Sequence, residues 1–201
     1  MYNIDEKKAY LKEKLSKKRF IHSLNVADES RILAEMYGED CDKAYFAGLL
    51  HDICKEDPPE VQLKLTMESA LSVTKEELES RPLWHGIAGA YFIQNEFNIH
   101  DIDIINSIRF HTVGRAGMSR LEEIIYIADL ISADRDYKDV YKMRKLAVTH
   151  LNQAMSEGLK YSMESVIKKN GLIPSYTVEG YNFYTRLNKL ENSDSCDKER
   201  G

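Results

Sequence analysis

Apolar residues recur at three- and four-residue spacing along almost the whole chain, which is the periodicity of amphipathic helices. One clear example runs from about Arg19 to Tyr37, where Phe20, Leu24 and Ala27 follow this spacing. No stretch shows the period-two alternation and turn punctuation of a β-strand. A chain of 201 residues with 43% hydrophobic residues is long enough to bury a core. The sequence therefore predicts an all-α fold, a compact bundle of seven or more helices.

Helix boundaries are indicated by capping boxes and by glycines. The S/T-x-x-E pattern begins at Thr74 and again at Ser119, and Gly38 and Gly171 are expected to end helices. The expected helices cover residues 5–16, 19–37, 41–54, 83–97, 101–110, 120–132 and 139–169, with a loop at 112–119. We expect residues 1–190 to form a single domain and the polar segment 191–201 to be a disordered tail.

The charge balance and the apolar runs argue against several classes of partner. Lys and Arg number 28 against 33 Asp and Glu, so the net charge of −5 does not favour binding nucleic acid by bulk electrostatics. No apolar run approaches the roughly 18 residues of a membrane span, and the N-terminus has no apolar signal-peptide region. Three cysteines form neither an even disulfide framework nor a CxxC pair. We expect a cytoplasmic protein with neither nucleic acid nor membrane as a partner.

Two aspartates lie within the most apolar helical segments. Asp52 follows His51 in AYFAGLLHDICK, and Asp129 lies in IIYIADLIS. Burying a carboxylate costs several kcal/mol unless its charge is compensated, and a cation bound by both acids would compensate it. His22, His85 and His111 could supply further ligands. Carboxylates and imidazoles without thiolates indicate a first-row divalent ion, namely iron, manganese, cobalt or zinc.

The residues alone leave structural roles open. His51 and Asp52 could form a satisfied core pair, and Asp129 could be a buried acid held by an arginine. Lys55, which precedes Glu56 and Asp57, could be a solvated lysine, and Arg135 could pair with Asp134 or Asp136 on the surface. His100 and His150 match no motif, and we expect structural roles for both.

The order His22, His51-Asp52 and Asp129 resembles the H…HD…D signature of the HD-domain metal-dependent phosphohydrolase superfamily. Five motifs together resemble its YqeK-type branch, bacterial enzymes that split diadenosine tetraphosphate symmetrically into two ADP. The motifs are Arg19-Phe20-x-His22, Ala47-Gly48-Leu49-Leu50-His51-Asp52-x-x-Lys55, His85-Gly86-x-x-Gly89-Ala90, His111-Thr112-x-Gly114 and Ile127-Ala128-Asp129-x-Ile131-x-x-x-Arg135. The resemblance covers about residues 16–183.

This resemblance implies an HD-domain bundle whose metal ligands are His22, His51, Asp52 and Asp129. The metal is expected to be iron, as one or two ions, with manganese, cobalt or zinc as alternatives. Positions matching the family's nucleotide contacts are Arg19, His85, His111, Thr112 and Arg135, followed by Ser175, Tyr176, Thr177 and Asn182 in the C-terminal stretch. His85 and His111 could instead complete a second metal site in which Asp52 bridges.

The expected activity is hydrolysis of diadenosine tetraphosphate and related dinucleoside polyphosphates to ADP by a metal-activated water. Catalytic roles are expected for Asp52, Lys55, His85 and His111, with Lys55 as a charge clamp or proton donor at the leaving phosphate. The alternatives are an HD-class nucleotidase, a deoxynucleotide phosphohydrolase or a cyclic-nucleotide phosphodiesterase, and a non-catalytic nucleotide-binding scaffold. A homodimer is left open, because the charged helix at 5–16 could pack on a second subunit.

Overall fold

The computed structural model describes the backbone of residues 2–198 and the side chains of these residues except 192 and 194–198. The described chain is helical and contains no strand, so the all-α prediction is confirmed. Within it, no helix is both long and apolar enough to cross a membrane. The helices are α1 (Ile4–Lys14), α2 (Lys17–Tyr37), α3 (Cys41–Leu50), α4 (Pro59–Glu68), α5 (Lys75–Glu79), α6 (Trp84–Glu96), α7 (Ile102–Phe110), α8 (Arg120–Ile131), α9 (Val140–Thr149), α10 (Leu151–Lys168) and α11 (Ser175–Lys198), with a 3-10 turn at Arg81–Leu83.

Helices α2 and α3 form a close antiparallel pair at the centre of the bundle. Gly48 allows the approach, because a Cβ there would lie 2.6 Å from the Oγ of Ser30 and 3.0 Å from the Cα of Ala27. Every residue of α3 from Ala44 to Leu50 is buried, as its nearly all-round apolar sequence predicts. Helix α1 packs on α2 and α3 of the same chain through the buried Leu11.

Helix α8 completes the core, packing against α2, α3 and α7. Its N-terminus carries the predicted capping box, in which Ser119 accepts from the amide of Glu122 and Glu122 accepts from the amide of Ser119. Seven of its residues are buried hydrophobic side chains: Leu121, Ile124, Ile125, Tyr126, Ile127, Ala128 and Ile131. These contacts fix the position of Asp129, which lies near the C-terminal end of the helix.

The third helix is shorter than the predicted segment 41–54. Helix α3 ends at Leu50, so His51 and Asp52 lie in the turn that follows it. The Nδ1 of His51 lies 2.7 Å from the carbonyl oxygen of Gly48, one of the carbonyls that the end of the helix leaves without a partner. Beyond it the backbone forms tighter i→i−3 bonds, from Ile53 to Leu50 and from Lys55 to Asp52.

The long helix predicted at 139–169 is wrong, because the structure divides it into α9 and α10. His150 lies between them with an extended backbone (φ −148°, ψ 81°). The hydroxyl of Thr149 donates to the carbonyl of Lys145 over 3.1 Å, and such side-chain bonds compete with helical ones. The residue with positive φ after α10 is Asn170 (φ 53°) and not the predicted Gly171.

Helix α11 continues to Lys198, well into the segment 191–201 for which the sequence predicts disorder. Residues 199–201 of that segment lie outside the described residues. The division into one domain at 1–190 and a tail stays a prediction.

Candidate metal centre

Four histidines and two aspartates converge at the centre of the bundle from five elements. His22 comes from α2, His85 from α6 and Asp129 from α8, while His51-Asp52 and His111 follow the ends of α3 and α7. His51 and Asp52 are 0% and 2% exposed, and the other three histidines are 2–3% exposed. The structure therefore brings together all six residues that the sequence singles out as ligands.

One group of ligand atoms forms around His22. The Nε2 of His22 lies 3.0 Å from Oδ1 of Asp129 and 3.8 Å from Oδ2 of Asp52. The Nε2 of His51 lies 3.4 Å from that same Oδ2 and 3.9 Å from Oδ1 of Asp129. One ligand atom each from His22, His51 and Asp129 lies within 4.8 Å of the others, a spacing that suits a single cation.

A second group lies on the other oxygen of the Asp52 carboxylate. Oδ1 of Asp52 is 3.2 Å from Nε2 of His85 and 3.6 Å from Nε2 of His111, and the two imidazole nitrogens are 3.2 Å apart. Atoms of His51, Asp52 and His111 also satisfy the spacing of a cation site. The two oxygens of Asp52 thus face different sets of imidazoles.

The imidazoles are oriented by bonds at their other ring nitrogen. His51 and His111 each direct Nδ1 to the carbonyl three residues earlier, at Gly48 and Ile108, over 2.7 Å. A carbonyl accepts only, so these nitrogens carry the hydrogen and leave Nε2 with its lone pair directed into the centre. The Nδ1 of His22 lies 2.9 Å from a carboxylate oxygen of Asp134, the arrangement common behind metal-bound histidines.

Unsatisfied polar atoms supply a direct test of whether these residues fit a metal. Nε2 of His22, Nε2 of His51 and Oδ1 of Asp52 are buried and have no hydrogen-bond partner among the described residues. Buried polar atoms are otherwise almost always paired, so such a convergent set needs an explanation. A bound divalent cation supplies one, since nitrogen and oxygen lone pairs are its ordinary ligands.

The pKa values of His51, His85 and Asp52 favour their metal-binding forms at neutral pH, whereas the pKa of His22 shifts the other way. Burial lowers the pKa of His51, and burial lowers the pKa of His85 to about 4, so both imidazoles are neutral. Burial alone would raise the pKa of Asp52, but the imidazoles of His51, His111 and His85 outweigh burial and hold that pKa well below its usual range. For His22, the loss from burial is outweighed by Asp129, and its pKa is raised.

Three cations border the centre, as the sequence predicts. Nη1 of Arg19 lies 2.6 Å from Oδ2 of Asp52, and Nζ of Lys55 lies 3.8 Å from Oδ1 of the same residue and 3.1 Å from Nε2 of His85. Arg135 does not pair with its neighbours Asp134 and Asp136. Its guanidinium instead holds the Asp129 carboxylate and, over 2.7 Å from Nε, the Asp129 carbonyl.

A cavity of about 560 Å³ lies beside the centre and is lined by Thr112, the residue after His111. Thr112 and Thr177 line it, and the buried hydroxyl of Thr112 has no hydrogen-bond partner among the described residues. Thr177 donates to the carbonyl of Val113 over 2.8 Å, and Tyr176 bonds Ser72 over 3.0 Å. Ser175 and Asn182, also predicted as substrate contacts, are exposed.

Two residues that the sequence did not single out shape the centre. Asp134 is held by Asn25 and Ser132 while it contacts His22. Arg144 on α9 donates to the carbonyls of Ile131, Ser132 and Arg135, and so fixes the loop that carries Asp134. Asp134 occupies an unassigned position of the fifth motif and Arg144 lies in no motif, so the only sequence signal was the proximity of Asp134 to Asp129.

Comparisons with known proteins agree with this geometry. The profile of the HD domain matches residues 19–134. A curated relative from Bacillus subtilis, named symmetrical bis(5'-nucleosyl)-tetraphosphatase, is 38% identical over 90% of this chain and 97% of its own length. A relative of the same name from Halalkalibacterium halodurans is 36% identical over 86% of this chain and 91% of its own length.

A solved structure is similar over nearly the same range. The crystal structure of a predicted HD superfamily hydrolase involved in NAD metabolism from Clostridium acetobutylicum has a TM-score of 0.88 and 37% identity, and the match covers 93% of this chain and 99% of that one. The bundle around the centre is therefore shared by that protein over nearly its whole chain.

Proposed function

Since this chain belongs to the HD-domain family, and within it to the symmetrical bis(5'-nucleosyl)-tetraphosphatases, we propose that it hydrolyses diadenosine tetraphosphate to two ADP. The chain is a hydrolase of phosphoanhydride bonds, and the resemblance seen in its five motifs is confirmed. The observation that carries the proposal is the convergence of His22, His51, Asp52 and Asp129, with unsatisfied atoms directed at one another.

A divalent metal is proposed at the centre, held by His22, His51, Asp52 and Asp129. Support comes from the donor set, from the neutral imidazoles of His51 and His85 and from the family. We propose iron as the metal, with manganese, cobalt or zinc able to use the same ligands. A second ion would be held by Asp52, His85 and His111, so that Asp52 would belong to both groups of ligands. When bound, the cation lowers the pKa of a coordinated water and neutralises phosphate oxygens.

The remaining residues are proposed to bind and orient the phosphate chain. Lys55 lies beside both His85 and Asp52, where its ammonium can hold the leaving phosphate or give it a proton. Arg19 and Arg135 can neutralise the other phosphates, because phosphoryl transfer depends mostly on positioning and on compensation of charge. If only one ion is bound, we propose that His85 and His111 contact the same phosphates.

One nucleoside is proposed to occupy the cavity beside Thr112. Its wall combines apolar groups such as Ile173 and Pro174 with the unpartnered hydroxyl of Thr112, which suits a flat base or sugar with polar edges. The bond from Thr177 to Val113 fixes the start of α11 against this cavity. Tyr176 packs edge-on against Phe110 beside it.

The identity of the products tests the function. Metal-loaded enzyme incubated with diadenosine tetraphosphate should give ADP as the only nucleotide product, in a ratio of two per substrate consumed. The Asp52→Ala variant should give none while it stays folded by circular dichroism. AMP together with ATP would reject the symmetrical reaction. Cleavage of a nucleoside monophosphate or a cyclic nucleotide in preference would instead favour a nucleotidase or a phosphodiesterase.

A further inference from the structure

A second cavity, of about 380 Å³, is lined by His22 of the metal centre and shares no lining residue with the cavity beside Thr112. Its walls include His22 itself, together with Arg19, Arg135 and the exposed Lys18. The rest of the wall consists of Asp134 and Asp136 and of two aromatic residues, Tyr137 and Tyr161. We call this space the Tyr161 cavity. The roles proposed so far leave its aromatic wall unused.

The two tyrosines form a stacked pair. Their ring centroids are 4.6 Å apart and their planes are inclined by 27°. Tyr161 remains 38% exposed, although it is a large aromatic side chain at the mouth of a cavity. The hydroxyl of Tyr137 is buried and has no hydrogen-bond partner within the described part of the chain. The wall thus offers an open aromatic surface and an unsatisfied polar atom.

The metal centre lies between the two cavities. Oδ1 of Asp52 faces His85 and His111, on the side where Thr112 begins the first cavity. Oδ2 of Asp52 faces His22 and Arg19, which line the Tyr161 cavity. A phosphate chain whose inner phosphates lie at the centre can therefore extend one end toward each cavity.

We propose that the Tyr161 cavity binds the second nucleoside of a dinucleoside polyphosphate. The base stacks on the open face of Tyr161, and Lys18 and Arg19 follow the phosphates that lead to it. Aromatic rings beside cations suit a nucleotide, because a base stacks on the ring while its phosphates need positive charge. The inference rests on the proposed function, and it explains how one centre can prefer a substrate with two nucleosides.

Equilibrium binding tests the cavity without relying on turnover. The metal-loaded protein is titrated in a calorimeter with a methylene-bridged, non-hydrolysable analogue of diadenosine tetraphosphate, and separately with adenosine 5'-tetraphosphate. Tyr161→Ala should weaken binding of the two-nucleoside analogue about ten- to a hundred-fold, the range expected for losing one stacked base. Its binding of adenosine tetraphosphate should not change, because one nucleoside can still occupy the cavity beside Thr112.

The controls separate stacking from general damage. Tyr161→Phe keeps the ring and should bind the analogue like the wild type. Tyr141→Ala removes another tyrosine, 75% exposed and outside both cavities, and should also have no effect. Wild-type affinity of Tyr161→Ala for the analogue, or equal losses for both ligands, would overturn the inference. Failure of the proposed function would show differently, as wild-type protein that does not convert diadenosine tetraphosphate to ADP.

Discussion

At the scale of single residues, the centre depends on which nitrogen of each imidazole carries hydrogen. His51 and His111 obtain the same tautomer from the same local geometry, a ring bond to the carbonyl three residues back at the end of a helix. His22 lies in the middle of a helix, where the carbonyls are already used, and depends on Asp134 from a distant loop. The residues behind the ligands therefore matter as much as the ligands.

Removal of the carboxylate behind His22 should weaken the metal site. In Asp134→Ala the Nδ1 of His22 loses its partner, and we expect metal affinity to fall about ten- to a hundred-fold. The matched control is Asp136→Ala, which removes an exposed acid from the same loop. Competition with a metal-binding dye measures both affinities. Equal affinities in the two variants would show that Asp134 does not support the ligand.

The stability of the metal-free protein should depend on the protonation of His85. The pKa of this buried imidazole is lowered to about 4, against about 6.5 in the unfolded chain. The unfolded state alone binds the proton between these values, so stability is full above pH 6.5 and falls as the pH drops toward 4. The loss from this one group should reach about 2–3 kcal/mol at pH 4.5.

Urea unfolding at pH 7.5 and pH 4.5 measures this effect. His85→Asn should lose less stability between the two pH values than the wild type, because the titrating group is gone. His100→Asn removes an exposed histidine and should lose as much as the wild type. A His85→Asn variant with the full wild-type loss would contradict the assignment.

The role of a single residue could be predicted where the neighbouring sequence indicates it, and not where the role depends on contacts with distant segments. Asp52 and Asp129 stood out because a carboxylate within an apolar helix demands compensation, and the structure brings both to the centre. Asp134 and Arg144 carry no such signal, since each acts through contacts with segments remote in sequence. For Arg135 the sequence left pairing with Asp134 or Asp136 open as an alternative to a nucleotide contact, and the structure instead folds its guanidinium back onto Asp129.

At the scale of elements, periodicity predicted most of the helices but neither α4 nor α11, and it predicted helix ends less well. The spacing of apolar residues indicates which residues are buried and not where a helix ends. Residues in the turn after α3, which carries His51 and Asp52, are also buried, so the predicted helix was too long. The break between α9 and α10 has neither glycine nor proline, and the hydroxyl of Thr149 beside it competes for the helical carbonyl of Lys145. Such side-chain competition depends on rotamers, which a sequence pattern does not record.

The close contact of α2 with α3 can be tested by adding one methyl group. Gly48→Ala places a Cβ against Ser30 Oγ and against the backbone of Ala27, so we expect a loss of about 1–3 kcal/mol in the free energy of unfolding. The double variant Gly48→Ala with Ser30→Ala removes the nearest of these clashes and should recover part of the loss. Urea titration measures both. A single variant as stable as the wild type would contradict the packing described.

At the scale of the whole molecule, metal binding should stabilise the native fold. The ligands come together only in the folded chain, so a free metal concentration a hundred-fold above Kd should add about 2.7 kcal/mol. For a chain of this size, that gain raises Tm by about 5–10 °C. Calorimetry of chelator-treated protein, with and without added iron or manganese, measures the shift.

The Asp52→Asn variant provides the control for this experiment. It keeps the shape of the side chain and removes the charge shared by both groups of imidazoles, so its Tm should respond little to metal. If chelated and metal-loaded wild-type proteins melt at the same temperature, the proposed ligands do not bind the added ion in the native state.

The spread of the ligands along the chain also has a consequence for biosynthesis. They begin at His22 and end at Asp129, on elements that meet only when α8 has docked against α2 and α3. Contacts between segments so far apart in sequence form late, because long loops must close first. A nascent polypeptide that has not yet been extended beyond α8 therefore has no complete coordination sphere. We therefore expect the ion to be captured only after α8 has left the ribosome and docked against α2 and α3.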